Sequence, residues 1–130
     1  MDIHQLNNQA NICLQQENFA TAVSIYEQCL DLEPHVISLY WYLGLSCLLQ
    51  GDEEKYQMTW LSSFATTELE HQDAALTEFI DFLKNQAQES LSVQKADIAQ
   101  NIYKAILEWD YKQAKVYYNM VHAVAIHGNL

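Results

Sequence analysis

Residues 17–54 read ENFATAVSIYEQCLDLEPHVISLYWYLGLSCLLQGDEE. Phe19, Ala22, Val23, Tyr26, Cys29 and Leu30 recur every three to four residues, the period of a helix with one apolar face. Pro34 ends that helix, because proline cannot continue it and disfavours the α conformation at the residue before it. A second apolar run over about 36–49 is closed by Gly51, a C-terminal cap, and Asp52-Glu53-Glu54 then sets negative charge at the positive end of the next helix. Overlaid at a spacing of about 34 residues, Leu6 falls on Tyr40, Ala10 on Gly44, Cys13 on Cys47, Leu14 on Leu48, Asn18 on Asp52 and Tyr26 on Trp60. The chain repeats a helix pair.

Outward from this stretch, residues 2–15 carry Ile3, Leu6, Ala10, Ile12, Cys13 and Leu14 on one face, with Asp2 placed as an N-cap. A fourth helix over 52–66 carries Tyr56, Met58, Trp60, Leu61 and Phe64. The register then breaks, and 67–93 reads as a helix of its own, with Phe79, Ile80, Phe82 and Leu83 among its apolar residues. A degenerate third unit follows, with Ile98, Ile102 and Ala105 on its first helix, a turn at Asp110-Tyr111, and Ala114 and Tyr118 on its second. The expected organisation is one domain with units at 3–36 and 37–70, a spacer helix at 71–93 and a unit at 95–127, about seven helices in all.

Composition agrees with an all-α chain. Half of the 130 residues are hydrophobic, and one proline and three glycines are too little punctuation for sheets joined by tight turns. The longest apolar run falls far short of the ~20 residues that cross a bilayer. The N-terminus has no signal-peptide pattern, so a cytoplasmic location is expected. The net charge of −11 comes from 17 acids against six lysines, with no arginine. Arginine supplies the fork that grips phosphates and guanine edges. Its absence, under a negative field, argues against nucleic acid and anionic membranes and for a basic or apolar protein segment as partner. Cys13, Cys29 and Cys47 are odd in number, lack metal-site spacing and lie on apolar faces, as reduced core residues do.

The pattern Tyr40-x-x-Leu43-Gly44-x-x-Cys47 with Gly51-Asp52 resembles the first helix and turn of a tetratricopeptide repeat. Ala22-x-x-x-Tyr26 with Pro34 resembles its second helix and stop. The resemblance implies a right-handed α-solenoid of antiparallel helix pairs. Small residues at Ala10, Ala22 and Gly44 would let paired helices approach, while Tyr26 and Trp60 would fill the gap to the neighbouring unit. The phrase YWYLGLSCLLQGDEEKYQMTWL is also similar to the helical-repeat region ahead of bacterial SPINDLY-type O-linked N-acetylglucosamine transferases and FkbM-type methyltransferases. No transferase domain accompanies it in these residues, and nothing catalytic is implied.

Carried over from the repeat family by register, a concave groove would be lined by Asn7, Asn11 and Leu14 of the first unit. Trp41, Leu45, Leu48 and Leu49 of the second would continue it, with Tyr103, Ile106 and Leu107 of the third. The basic residues and asparagines with which chaperone-binding members clamp a C-terminal carboxylate are missing, Asn11 excepted. What remains is an apolar groove centred on Trp41, suited to an amphipathic helix. The competing reading is that helix 71–87 or a second copy of the chain, as a homodimer, covers it. No HExxH motif, nucleophile–His–acid grouping or Gly-rich phosphate loop appears, so no catalytic residue, metal or cofactor is expected. The expected function is therefore a non-enzymatic protein-interaction scaffold. The alternative is an acceptor-positioning module of a glycosyltransferase or methyltransferase. The scaffold reading expects Trp41→Ala to abolish partner capture and leave helicity intact.

Overall fold

Asp2 opens the first helix through a capping box: its carboxylate accepts the Gln5 N–H at 2.9 Å while the Gln5 side chain accepts the Asp2 N–H at 3.1 Å. The computed structural model describes residues 2–65 and 67–109, and every regular element among them is helical. In order they are α1 (Ile3–Gln15), α2 (Phe19–Leu32), α3 (Ile37–Gln50), α4 (Glu53–Ala65), a 3-10 turn (Leu69–His71) and α5 (Gln72–Ser92). Residues 96–109 are helical as well and are termed α6. The expected seventh helix, with Ala114 and Tyr118, lies outside the described residues.

The ends of these helices follow from local chemistry. α2 stops at Leu32, and Glu33, held before Pro34, leaves the α region (φ −133°, ψ 72°), which the proline ring disfavours there. Three other ends share one turn. At Gly51 (φ 93°) the chain enters the left-handed region, its N–H donates to the Leu48 carbonyl at 3.1 Å, and the Asp52 N–H reaches back to Cys47 at 2.9 Å. Glu17 (φ 63°) and Asn18 repeat these bonds to Leu14 at 3.1 Å and Cys13 at 2.8 Å. Gln94 (φ 63°) and Lys95 repeat them to Leu91 at 3.0 Å and Ser90 at 2.8 Å. The first two turns sit at positions that the sequence repeat equates.

The helix expected over 67–93 starts later. Residues 69–71 wind as a 3-10 turn, and the Gln72 side-chain amide donates to the carbonyls of Phe64 and Thr67, both at 3.3 Å, stitching the α4–α5 connection.

Two compact units divide the chain, Met1–Phe79 and Ile80–Leu130, with α5 crossing the division. In the first, the principal packing pairs are α1 with α2, α2 with α3, and α3 with α4. No such packing joins α1 to α4, as a closed four-helix bundle would need. α3 is sheathed on nearly every side, with Leu39, Trp41, Leu43, Leu45, Cys47 and Leu48 all buried. A helix apolar all round belongs inside.

The core of this unit is aromatic. Trp60, fully buried, donates its indole N–H to the Trp41 carbonyl at 3.2 Å. The rings of Tyr56 and Phe79 meet it edge-on at 5.0 and 4.9 Å. Its indole lies directly over Gly44, where any Cβ would stand 2.7 Å or less from three ring atoms. Tyr26, the residue that the repeat equates with Trp60, stacks on Tyr42 at 5.5 Å and donates its hydroxyl to the Asn11 side chain at 3.1 Å. The buried residues of the second unit's described part are Ile80, Leu83 and Ala87 of α5, with Ala99, Ile102, Ala105, Ile106 and Trp109 of α6.

Candidate functional site

The groove expected around Trp41 is not an open surface. Trp41 is 7% exposed and Leu45 1%, and Leu48 and Leu14 are buried with them. Their cover comes from the chain itself: Phe79, on the first half of α5, sits 5.7 Å from the Trp41 ring and also meets Trp60 and Phe64. The aromatic that the sequence offers as a binding anchor is therefore core. Burying a tryptophan against an aromatic cluster contributes more than leaving it in water for a guest.

The other expected residues scatter. Asn11 is half-buried and accepts the Tyr26 hydroxyl, which makes it a core partner. Asn7 and Leu49 are half-buried. Ile106 is buried, while Tyr103 and Leu107 are exposed, so the α6 residues do not form one open lining. The turn at Gln94 precedes α6. It has the form of the turns between α1 and α2 and between α3 and α4, with the same two hydrogen bonds.

Candidate chemistry is sparse. Among the described residues, Glu68, Glu70 and His71 bring ligand atoms within 4.8 Å of one another, all exposed on a single turn. His71 lies 3.9 Å from Glu68 and 3.7 Å from Glu70, side chains that water reaches freely. The cysteines are unpaired thiols: Cys29 and Cys47 are buried, Cys13 half-buried. Burial pushes the Cys47 thiol up to about 11, with Asp52 and Glu27 adding to the shift and Lys55 opposing it. Burial raises Cys29 too. A thiol so held is a poor nucleophile. Burial also raises the Tyr26 phenol, so it stays protonated and donates to Asn11.

Exposed apolar side chains lie elsewhere. On α4, Tyr56, Trp60 and Ser63 point inward. Met58 and Leu61 point outward, 60% and 54% exposed, and Leu69 on the following turn is 84% exposed. The helical wheel carried this signal, since positions 56, 60 and 63 share a face that 58 and 61 do not.

The charge is distributed just as unevenly. Residues 1–79 hold twelve of the 17 acids and one lysine, a formal −11, whereas 80–130 hold five of each sign. That single lysine, Lys55, is paired with Glu27 at 3.3 Å. No described helix is long and apolar enough to cross a membrane. No protein-family model, curated protein or solved structure matches the chain.

Proposed function

We propose that the chain is a non-enzymatic protein-interaction module, a right-handed α-solenoid of tetratricopeptide-like helix pairs that holds a segment of another protein. The observation that carries this reading is the recurrence of one turn, with the same two hydrogen bonds and a left-handed residue, at Glu17, Gly51 and Gln94. Aligning the third turn on the second sets Leu83, Ala87, Ser90 and Leu91 against Tyr40, Gly44, Cys47 and Leu48. Ala10, Gly44 and Ala87 then occupy one position, small and buried each time. On this reading α5 and α6 form the third helix pair and no spacer helix is needed. One such pair cannot cover its own apolar face, so pairs stack, and stacks of this kind present extended surfaces to partners.

The captured segment does not lie over Trp41, which is core, and so docks on the remaining surface. The chemistry fits a binder better than a catalyst: the Cys29 and Cys47 thiols are buried, with their acidity suppressed, and His71 stands in water. Selection of displayed peptides against the folded full chain tests this. Enrichment of a shared sequence pattern, with micromolar binding by the synthetic peptide, is expected. A folded chain that enriches no pattern would remove the proposal.

A further inference from the structure

We propose that the exposed face of α4 docks a cationic amphipathic helix of a partner protein; this rests on the interaction-module reading and names the surface and its guest. Glu54, Met58, Leu61 and Ala65 follow one another at helical intervals of four, three and four, which sets them along one line. All four are exposed. Its apolar part, from Met58 to Ala65, runs about 10 Å along the helix at 1.5 Å per residue, the length of two turns of a partner helix.

Its surroundings fix the sign of the guest. Glu53 and Glu54 stand at its start, and Glu68 and Glu70 lie on the turn that follows its end. Lys55, the single lysine of residues 1–79, is committed to Glu27. The whole unit carries −11, a field that attracts cations and slows the approach of anions. A second copy of the chain would bring the same negative unit against this one, and nucleic acid or an anionic membrane is repelled likewise. An apolar row flanked by acids is complementary to a helix with leucine-like residues at matching intervals and lysines or arginines on either side.

The test uses the full chain and a fluorescent synthetic helix of about 18 residues, long enough to form four turns or more, with leucines on one face and lysines on the other. A control peptide replaces each lysine by glutamate. Anisotropy titrations should show the lysine peptide binding, the glutamate peptide failing to bind, and affinity falling severalfold between about 50 and 200 mM salt. Met58→Lys/Leu61→Lys should weaken the complex by at least roughly tenfold. Thr21→Lys/Ser24→Lys alters the charge equally at two exposed positions of α2 and should weaken it by less than about threefold. Equal losses in the two double variants would overturn the proposal, because attraction by net charge alone would then suffice. So would light scattering that shows a dimer dissociated by Met58→Lys/Leu61→Lys, making a second copy the occupant. Failure of the lysine peptide, with display-selected peptides binding elsewhere, would sink this surface and leave the module reading standing. Failure of every peptide would sink both.

Discussion

Replacing Gly44 by alanine separates helix propensity from packing, because the two push in opposite directions. In an isolated helix the change stabilises by about 1 kcal/mol, as alanine loses less backbone freedom on folding. Here the new methyl would stand 2.7 Å or less from three atoms of the Trp60 indole. The indole has little room to yield. It is fully buried, pinned by its bond to the Trp41 carbonyl and bounded by Tyr56 and Phe79. Overpacking of this kind costs about 1–3 kcal/mol. Loss of the indole hydrogen bond adds about 1 kcal/mol. Crowding wins, and the net expectation is a destabilisation of about 2 kcal/mol, a fall in Tm of about 7 °C for a chain of this size. Urea and thermal unfolding monitored by far-ultraviolet circular dichroism would measure it. Combining Gly44→Ala with Trp60→Phe should recover at least about 1 kcal/mol of the crowding cost, since the smaller ring makes space. At Gly51 a Cβ meets nothing within 4 Å, so Gly51→Ala should cost only the left-handed backbone strain of about 1–2 kcal/mol, with no coupling to Trp60. A stabilised Gly44→Ala protein would refute the α3–α4 packing described above.

Trp41→Ala should lower stability by about 3–5 kcal/mol, as large-to-small changes in a packed core do, and unfolding at reduced urea concentration would reveal it. An unchanged midpoint would return Trp41 to the surface. Alkylation of the native protein at pH 8 should modify Cys13 first, because the thiolate fraction of Cys47, with its value raised to about 11, is only about one in a thousand at that pH. Mass spectrometry showing three equally fast cysteines would contradict the burial of Cys29 and Cys47. Stability should also fall in alkali. Cys47 stays protonated in the fold to higher pH than the ordinary 9.0, so its contribution is complete below pH 9.0 and is lost as pH rises to about 11. Denaturation midpoints across that window should flatten partly in Cys47→Ala, and an identical slope in the variant would rule this residue out.

Much of the architecture was legible because its causes are local. Asp2 caps through residues three positions away, Pro34 acts on its immediate neighbour, and Gly51 supplies a left-handed turn that few other residues take readily. The turn at Glu17 was legible because the repeat sets Asn18 on Asp52, but the one at Gln94 was not, since glutamine gives no warning of a positive φ. That is why α6 reads, by register alone, as the start of a unit, whereas the unit order proposed above makes it the end of one.

The groove failed for a different reason. α3 has apolar residues on all sides, a pattern that fits a groove-lining helix and a sheathed core helix equally well. The choice between them depends on Phe79, far along the chain, whose position over Trp41 no local pattern announces. Asn11 misled in the same way: its matching position suggested a ligand-binding amide, and its partner is the Tyr26 hydroxyl.

Amide and side-chain NMR of the isotope-labelled chain, titrated with the lysine-flanked peptide, reports where a guest lands. The expected result is a set of shifts concentrated at Met58, Leu61 and Ala65, with the Trp41 and Trp60 indole signals unmoved. Shifts centred instead on Asn7, Asn11 and Leu49, with the Trp41 indole displaced, would show that Phe79 lifts away and that the buried groove opens after all, contradicting the site drawn from this fold.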